Sequence, residues 1–237
     1  MRTSILYEDK DIIVIHKPAG LATETSKVGQ ADVVSELKNH IKSPYLGVVH
    51  RLDQPVEGLL VFGRTKAAAA ALTRQLSEGI LNKRYYAVIG GQMIAAEGEL
   101  VDYLYKNKEN RAELVPKDQA AAAGAKEARL RYRVLESPGE IALAEITIQT
   151  GRFHQIRAQM SHAGMPLLGD VKYGTESSIE QSARLQVRNV ALCAYEIQVE
   201  HPTKRKRMCF QTEPRERIFQ FFQKFTSETT EKNDCFC

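Results

Sequence analysis

Asp53, in the run His50-Arg51-Leu52-Asp53, is the carboxylate whose setting best suits chemistry. Val48-Val49 precede the run behind Gly47, and Leu59-Leu60-Val61-Phe62 follow it behind Gly58. That pattern predicts a strand, an exposed loop carrying Asp53, and a second strand. A carboxylate so placed, with Arg51 beside it, can face a cleft and act as a nucleophile or a general base. The same two residue types also form solvated surface pairs, and on local evidence both readings stand.

Other candidates are less self-explanatory. Lys83 to Ile89 is a strand by composition, and alternation puts Tyr85 and Tyr86 on opposite faces, so only one can line a site. Between Gly151 and Gly164 the period changes. Phe153, Ile156, Met160 and Ala163 are spaced as one face of a helix, flanked by Arg157 with His154 on its side. His154 and His162 differ by about 800° at ~100° per residue, so they do not share a face as metal ligands would. No H-E-x-x-H and no carboxylate cluster is present, so no metal is expected. Lys204-Arg205-Lys206-Arg207 is a compact basic run, either a solvated hairpin turn or a set of phosphate contacts.

These residues need a scaffold. Ile5-Leu6 and Ile12 to Ile15 read as a hairpin closed by the turn Lys17-Pro18-Ala19-Gly20. Ala31 to Ile41 is helical in spacing, and Thr65 caps a second helix that Gly79 ends. Glu99 to Val115 reads as a hairpin, and Ala120 to Lys126 as a small-residue loop. Leu130 to Val134 and Ala144 to Gln149 alternate as strands, and Tyr195 to Val199 pairs with Cys209 to Thr212 across the basic turn. Pro214 opens a last helix with Ile218, Phe221, Phe222 and Phe225 on one face. Helices follow strands without strict alternation, which predicts an α+β fold with a mixed, mostly antiparallel sheet.

Four segments in order carry a resemblance. Residues 12–21 read IIVIHKPAGL, 50–66 HRLDQPVEGLLVFGRTK, 83–91 KRYYAVIGG, and 150–174 TGRFHQIRAQMSHAGMPLLGDVKYG. Together they resemble the RluA-type family of RNA pseudouridine synthases. The resemblance implies a single catalytic domain over 1–225, flanked helices and a catalytic cleft, with a polar tail over 226–237. It also implies an isomerase that turns specific uridines of ribosomal or transfer RNA into pseudouridine with no cofactor. Asp53 matches the family's essential aspartate, Tyr85 its pocket tyrosine, and Arg157 the arginine expected to pair with that aspartate. Arg51, Arg152 and His154, with Lys204 and Arg205, are the expected RNA contacts. Lys17, Pro18 and Gly20 match a structural turn. The small RNA-binding domain that many relatives carry N-terminally is expected to be absent. Val56 and Glu57 depart from the family's usual threonine and serine, and a carboxylate there is expected to disfavour nearby phosphate.

Composition agrees with such a partner without demanding it. The net charge is +4 over 237 residues, a balance common among enzymes. No apolar stretch approaches the ~20 residues of a membrane span, and no signal peptide is apparent, so the expected compartment is the cytoplasm. Cys193, Cys209, Cys235 and Cys237 lack paired C-x-x-C spacing and fit reduced thiols. A monomer acting on RNA with no obligatory protein partner is expected. Two alternatives remain: a non-catalytic RNA-binding or RNA-folding protein on the same scaffold, and a hydrolase on another fold, for which Glu57 is the nearest second carboxylate.

Overall fold

A computed structural model describes residues 1–25, 29–91 and 95–226. The polar tail expected over 226–237 lies, from 227 onward, outside the described residues, as do Cys235 and Cys237. The chain runs β1 (Ser4–Glu8), β2 (Ile12–Lys17), α1 (Val33–Ile41), β3 (Gly47–Val48), β4 (Glu57–Gly63), α2 (Lys66–Ser77) and β5 (Asn82–Ile89). It continues with β6 (Glu97–Lys106), β7 (Ala112–Val115), α3 (Ala120–Ala123), β8 (Lys126–Glu136), β9 (Ala142–Ile148), α4 (Gln155–His162) and α5 (Glu176–Arg184). Last come β10 (Leu192–Glu200), β11 (Arg207–Gln211), a 3-10 turn (Arg217–Phe221) and α6 (Gln223–Thr226). This is the expected α+β class with a mixed sheet. Among the described residues no helix is long and apolar enough to cross a membrane.

The chain divides into two compact units, one built from Met1–Arg84 with Cys193–Arg215, the other from Tyr85–Leu192 with the segment that begins at Glu216. In the first, β1, β2, β4 and β10 lie in that order, with β3 beside β4 and β11 beside β10. The pairings are antiparallel except β4 with β10, which run parallel. Every residue of β2 and β4 is buried, as a strand covered on both faces requires. Ile12, Val14, Leu59 and Val61 pack on one face with Leu72 of α2 and with Ile197, Val199 and Phe210. Gly58 has φ +123, and a Cβ there would meet the backbone of Ala194 at 2.4 Å, so the close β4–β10 approach needs glycine. Thr65 caps α2 as expected, accepting from the Ala68 N–H at 3.1 Å.

In the second unit β9, β8, β6 and β7 form an antiparallel sheet in that order, with β5 beside β9. Its inner face joins Leu104, Ala112 and Ala128 to Ala158 of α4. Four expectations change here. The small-residue stretch is a short helix, α3, ended by Gly124 at φ 63. Phe153 is not on the buried stripe of α4. His154 takes a left-handed φ of 51, the helix begins only at Gln155, and Phe153 stays 38% exposed. The C-terminal helix is split, because Phe222 is extended (φ -104, ψ 138) between the 3-10 turn and α6. The split buries Ile218, Phe219 and Phe222 and leaves Phe221 exposed. Finally, α5 has no counterpart in the sequence reading. Its run ESSIEQSAR carries a lone large apolar residue, Ile179, so no stripe announces it, although Thr175 caps it.

Candidate active site

The Asp53 loop is fixed by the residues on either side of the carboxylate. His50 is buried, and its Nε2 accepts the Val61 N–H of β4 at 3.3 Å. Burial, helped by nearby Lys83, pushes the His50 pKa far down, so the ring is neutral. Leu52 is buried too. Its N–H donates to Thr23 Oγ1 at 3.3 Å, and that hydroxyl returns a bond to the Leu52 carbonyl at 2.9 Å. Arg51 is exposed and pairs with Glu24 at 2.6 Å, while Asp53 is half-buried. A turn then closes with Val56 N–H on the Asp53 carbonyl at 3.0 Å.

The residue after Asp53 is stapled to the N-terminal turn. Gln54 O accepts from the Gly20 N–H at 2.8 Å, and its Nε2 donates to the Gly20 carbonyl at 3.2 Å. Lys17 completes the staple from the end of β2. Its fully buried Nζ donates to the carbonyls of Pro18 (3.1 Å), Leu21 (2.7 Å) and Gln54 (3.1 Å). Three acceptors match the three N–H donors of an ammonium. Burial opposes the charge and brings the pKa down to about 7, although Asp53 and Glu57 pull it upward. Lys17 therefore does more than make a turn: it ties the catalytic candidate's loop to β2.

Glu57 does not face solvent. It is buried at the start of β4, both carboxylate oxygens accept the Arg215 backbone N–H at 3.0 Å, and Oε2 lies 3.4 Å from His16 Nε2. The expected repulsion of phosphate is thus corrected. A carboxylate in this position anchors the chain after β11 and is closed off from solvent.

In the second unit Arg157 is buried and makes a bidentate pair with Asp170, Nε to Oδ2 at 2.7 Å and Nη2 to Oδ1 at 2.8 Å. Asp170 Oδ1 also accepts the N–H groups of Lys172 (3.0 Å) and Tyr173 (3.1 Å). The Tyr173 ring covers the guanidinium, with Cζ 5.1 Å from its centroid. Tyr173 OH takes the Ala112 N–H at 2.6 Å and lies 2.8 Å from His154 Nδ1. Asp170 and Tyr173 were not singled out from sequence, although both stand in the GDVKYG end of the fourth segment. Tyr86 packs edge-on against Phe225, centroids 5.4 Å apart, under the Lys224 ammonium. Tyr85, buried as well, therefore points from the opposite face of β5.

The basic turn divides. Lys204 Nζ donates to Tyr7 OH and to Asp9 Oδ2, both at 2.9 Å, and these bonds push its pKa up. Lys204 thus sits exposed in an ion pair with Asp9, whereas Arg205 stands exposed at the turn with φ 51. Asp9 Oδ2 also takes a bond from His201 Nε2 at 2.8 Å, since His201 Nδ1 accepts the Thr203 and Lys204 N–H groups. Asp9, Asp11 and His201 lie close enough to suggest a metal triad, but a proton on Nε2 and the ammonium of Lys204 make it an ion-pair clasp.

Comparison with known proteins decides the family. The description RNA pseudouridylate synthase matches residues 11–162, a span that contains Lys17, Asp53, Tyr85 and Arg157. The chain belongs to that family. Ribosomal large subunit pseudouridine synthase D of Nitrosomonas europaea is 34% identical over 205 residues, covering 84% of this chain and 58% of the relative. Dual-specificity RNA pseudouridine synthase RluA of Vibrio cholerae is 32% identical over 193 residues, covering 81% of this chain and 76% of the relative. The chain thus spans less than two thirds of the Nitrosomonas protein. The fold is that of human RNA pseudouridylate synthase domain containing 1, with TM-score 0.73 and 22% identity over 90% of this chain and 83% of that one.

Proposed function

We propose that this pseudouridine synthase family member isomerises specific uridines of structured RNA, with Asp53 as its catalytic carboxylate. The observation that carries the reading is the loop that buries His50 and Leu52 and holds Asp53 half-buried between them and β4, within the segment that matches the family. The reaction breaks the bond from N1 of uracil to the ribose, turns the freed base, and joins its carbon 5 to the same ribose carbon. The hydrogen displaced from carbon 5 leaves as a proton, and another reaches N1, so atoms balance without a cofactor. Asp53 serves this by adding to the ring at carbon 6, by adding to the anomeric carbon, or by taking a ribose proton. Each route needs the uridine out of its stack.

Tyr85 stacks on the extruded base, and its hydroxyl assists removal of the carbon 5 proton. Arg157, preorganised by Asp170, supports the charge of Asp53. The ribosomal names of relatives favour ribosomal over transfer RNA, and the cytoplasm is the compartment we assign. The test compares the full chain with Asp53→Asn on total RNA, mapping pseudouridines. The parent should convert defined uridines and the variant none, with RNA affinity retained. Conversion by Asp53→Asn within tenfold of the parent would reject the assignment, and RNA binding without any turnover would leave the non-catalytic reading.

A further inference from the structure

A pocket of about 280 Å³ opens in the second unit, lined by Lys106, Lys126, Arg152 and Phe153 together with the end of β6 and the Ala123–Gly124 corner. We propose that it is a nucleotide subsite, which holds one RNA phosphate between its three cations and the attached base against Phe153. The proposal rests on RNA being the substrate, and it concerns a nucleotide other than the uridine that reacts.

The charges argue for an anion. Lys106, Lys126 and Arg152 line the same small space, and no carboxylate lines it with them. Cations nearby on the sheet are neutralised: Arg131 pairs with Glu99, Arg133 with Glu145, and Arg129 with Glu99 and Glu127. Those of the pocket are not. Among the described residues the Lys106 and Lys126 ammonium groups make no hydrogen bond or ion pair. Arg152 spends its Nε on the Glu127 carbonyl at 2.8 Å, which orients the guanidinium and leaves both terminal nitrogens without a partner among the described residues. A phosphate is the ligand such a set recognises. Like charges held together repel until an anion arrives, so the arrangement costs stability that a ligand restores.

Phe153 argues for a base. The left-handed turn at His154 swings it out of the helical stripe that its spacing would otherwise join. It is held there by His154, stacked at 3.8 Å between centroids, and His154 is in turn fixed to Tyr173. The Lys106 ammonium lies 4.8 Å from the ring centroid, poised between the aromatic face and the pocket. An aromatic platform beside a basic lining is how single-stranded nucleic acid is bound without sequence preference. The volume lies just under the range of small-molecule pockets, enough for one nucleotide and too small for a folded element.

The test measures binding, so it is separate from turnover. Isotope-labelled full-length protein is titrated with uridine 5′-monophosphate, inorganic phosphate and uridine, following backbone amides. The monophosphate should shift Gly124, Lys126 and Phe153, phosphate a subset of these, and uridine none at equal concentration. The affinity of a short oligouridylate is then followed against salt. Lys106→Ala with Lys126→Ala should lower the log–log slope by about 1.4, and Arg133→Ala should leave it unchanged. Phe153→Ala and Phe153→Leu, the second keeping apolar volume, should weaken binding roughly five- to hundred-fold, while Phe153→Tyr retains it. An unchanged slope in the double variant, or amide shifts confined to other residues, would overturn the subsite even if Asp53 proved catalytic. Activity in Asp53→Asn would reject the catalytic assignment and leave these binding results standing.

Discussion

Replacing Lys17 by Met should change how stability depends on pH more than it changes stability at any one pH. The ammonium is buried, and its pKa falls from 10.5 in the unfolded chain to about 7 in the folded protein. At about 1.4 kcal/mol per tenfold, that separation is worth about 5 kcal/mol. Below pH 7 both states carry the proton, and the folded protein bears the full cost of a buried charge. Between about 7 and 10.5 the unfolded chain keeps the proton that the folded protein has lost, so stability from this group rises with pH. Lys17→Met removes the group, and the pH-independent loss of its three carbonyl bonds cancels from the slope. Urea unfolding of both proteins across pH 7 to 10 should therefore show the parent gaining roughly 4 kcal/mol relative to the variant. Lys83, pushed down to about 8 by burial, titrates in both proteins and drops out of the difference. Curves that stay parallel within about 1 kcal/mol would refute the reasoning. They would mean that the three carbonyls hold the ammonium charged despite its burial, and that the staple on the Asp53 loop persists through alkaline pH.

Two further outcomes follow from pairs inside the protein. Asp170→Ala should destabilise by about 3–5 kcal/mol in urea midpoints, because it strips the bidentate carboxylate from a buried guanidinium, and adding Arg157→Met should recover part of the loss. A cost below about 1 kcal/mol for the single variant would show that the pair is not a structural unit. Lys204→Ala should leave the salt dependence of RNA affinity where it was, since its charge answers Asp9, whereas Arg205→Ala should flatten it by about 0.7–0.9 if that exposed guanidinium meets phosphate. A flatter slope in Lys204→Ala would show that the clasp opens on RNA.

Most of the scaffold was legible because it is written in local pattern. Alternation along Leu130–Val134 and Ala144–Gln149 reports β8 and β9, and Tyr195–Val199 with Cys209–Thr212 reports the β10–β11 hairpin, whose register sets Ile197 against Phe210. Thr65 and Gly79 bracket α2 by side-chain and backbone chemistry that acts within a few residues. The failures share a different origin. Phe153 obeys a helical spacing, but the left-handed turn at His154 overrules it. Phe221 obeys one too, and the extended Phe222 breaks it.

The site divides along the same line. The loop around Asp53 is legible because the neighbours that fix it, His50 and Leu52, stand beside it in sequence. Glu57 was misjudged because its partner is a backbone N–H at Arg215, and a main-chain donor has no sequence signature. The ion pair of Lys204 is not legible because the carboxylate it meets, Asp9, lies at the other end of the chain. Lys17 looked like part of a turn because its acceptors are carbonyls, which every residue carries. A basic residue in a sequence is a charge without an address. What separates a phosphate contact from a structural cation is whether folding brings an acceptor to it. On that criterion Lys17 and Lys204 each have an acceptor within the protein, and Lys106 and Lys126, with none among the described residues, suit the proposed phosphate subsite.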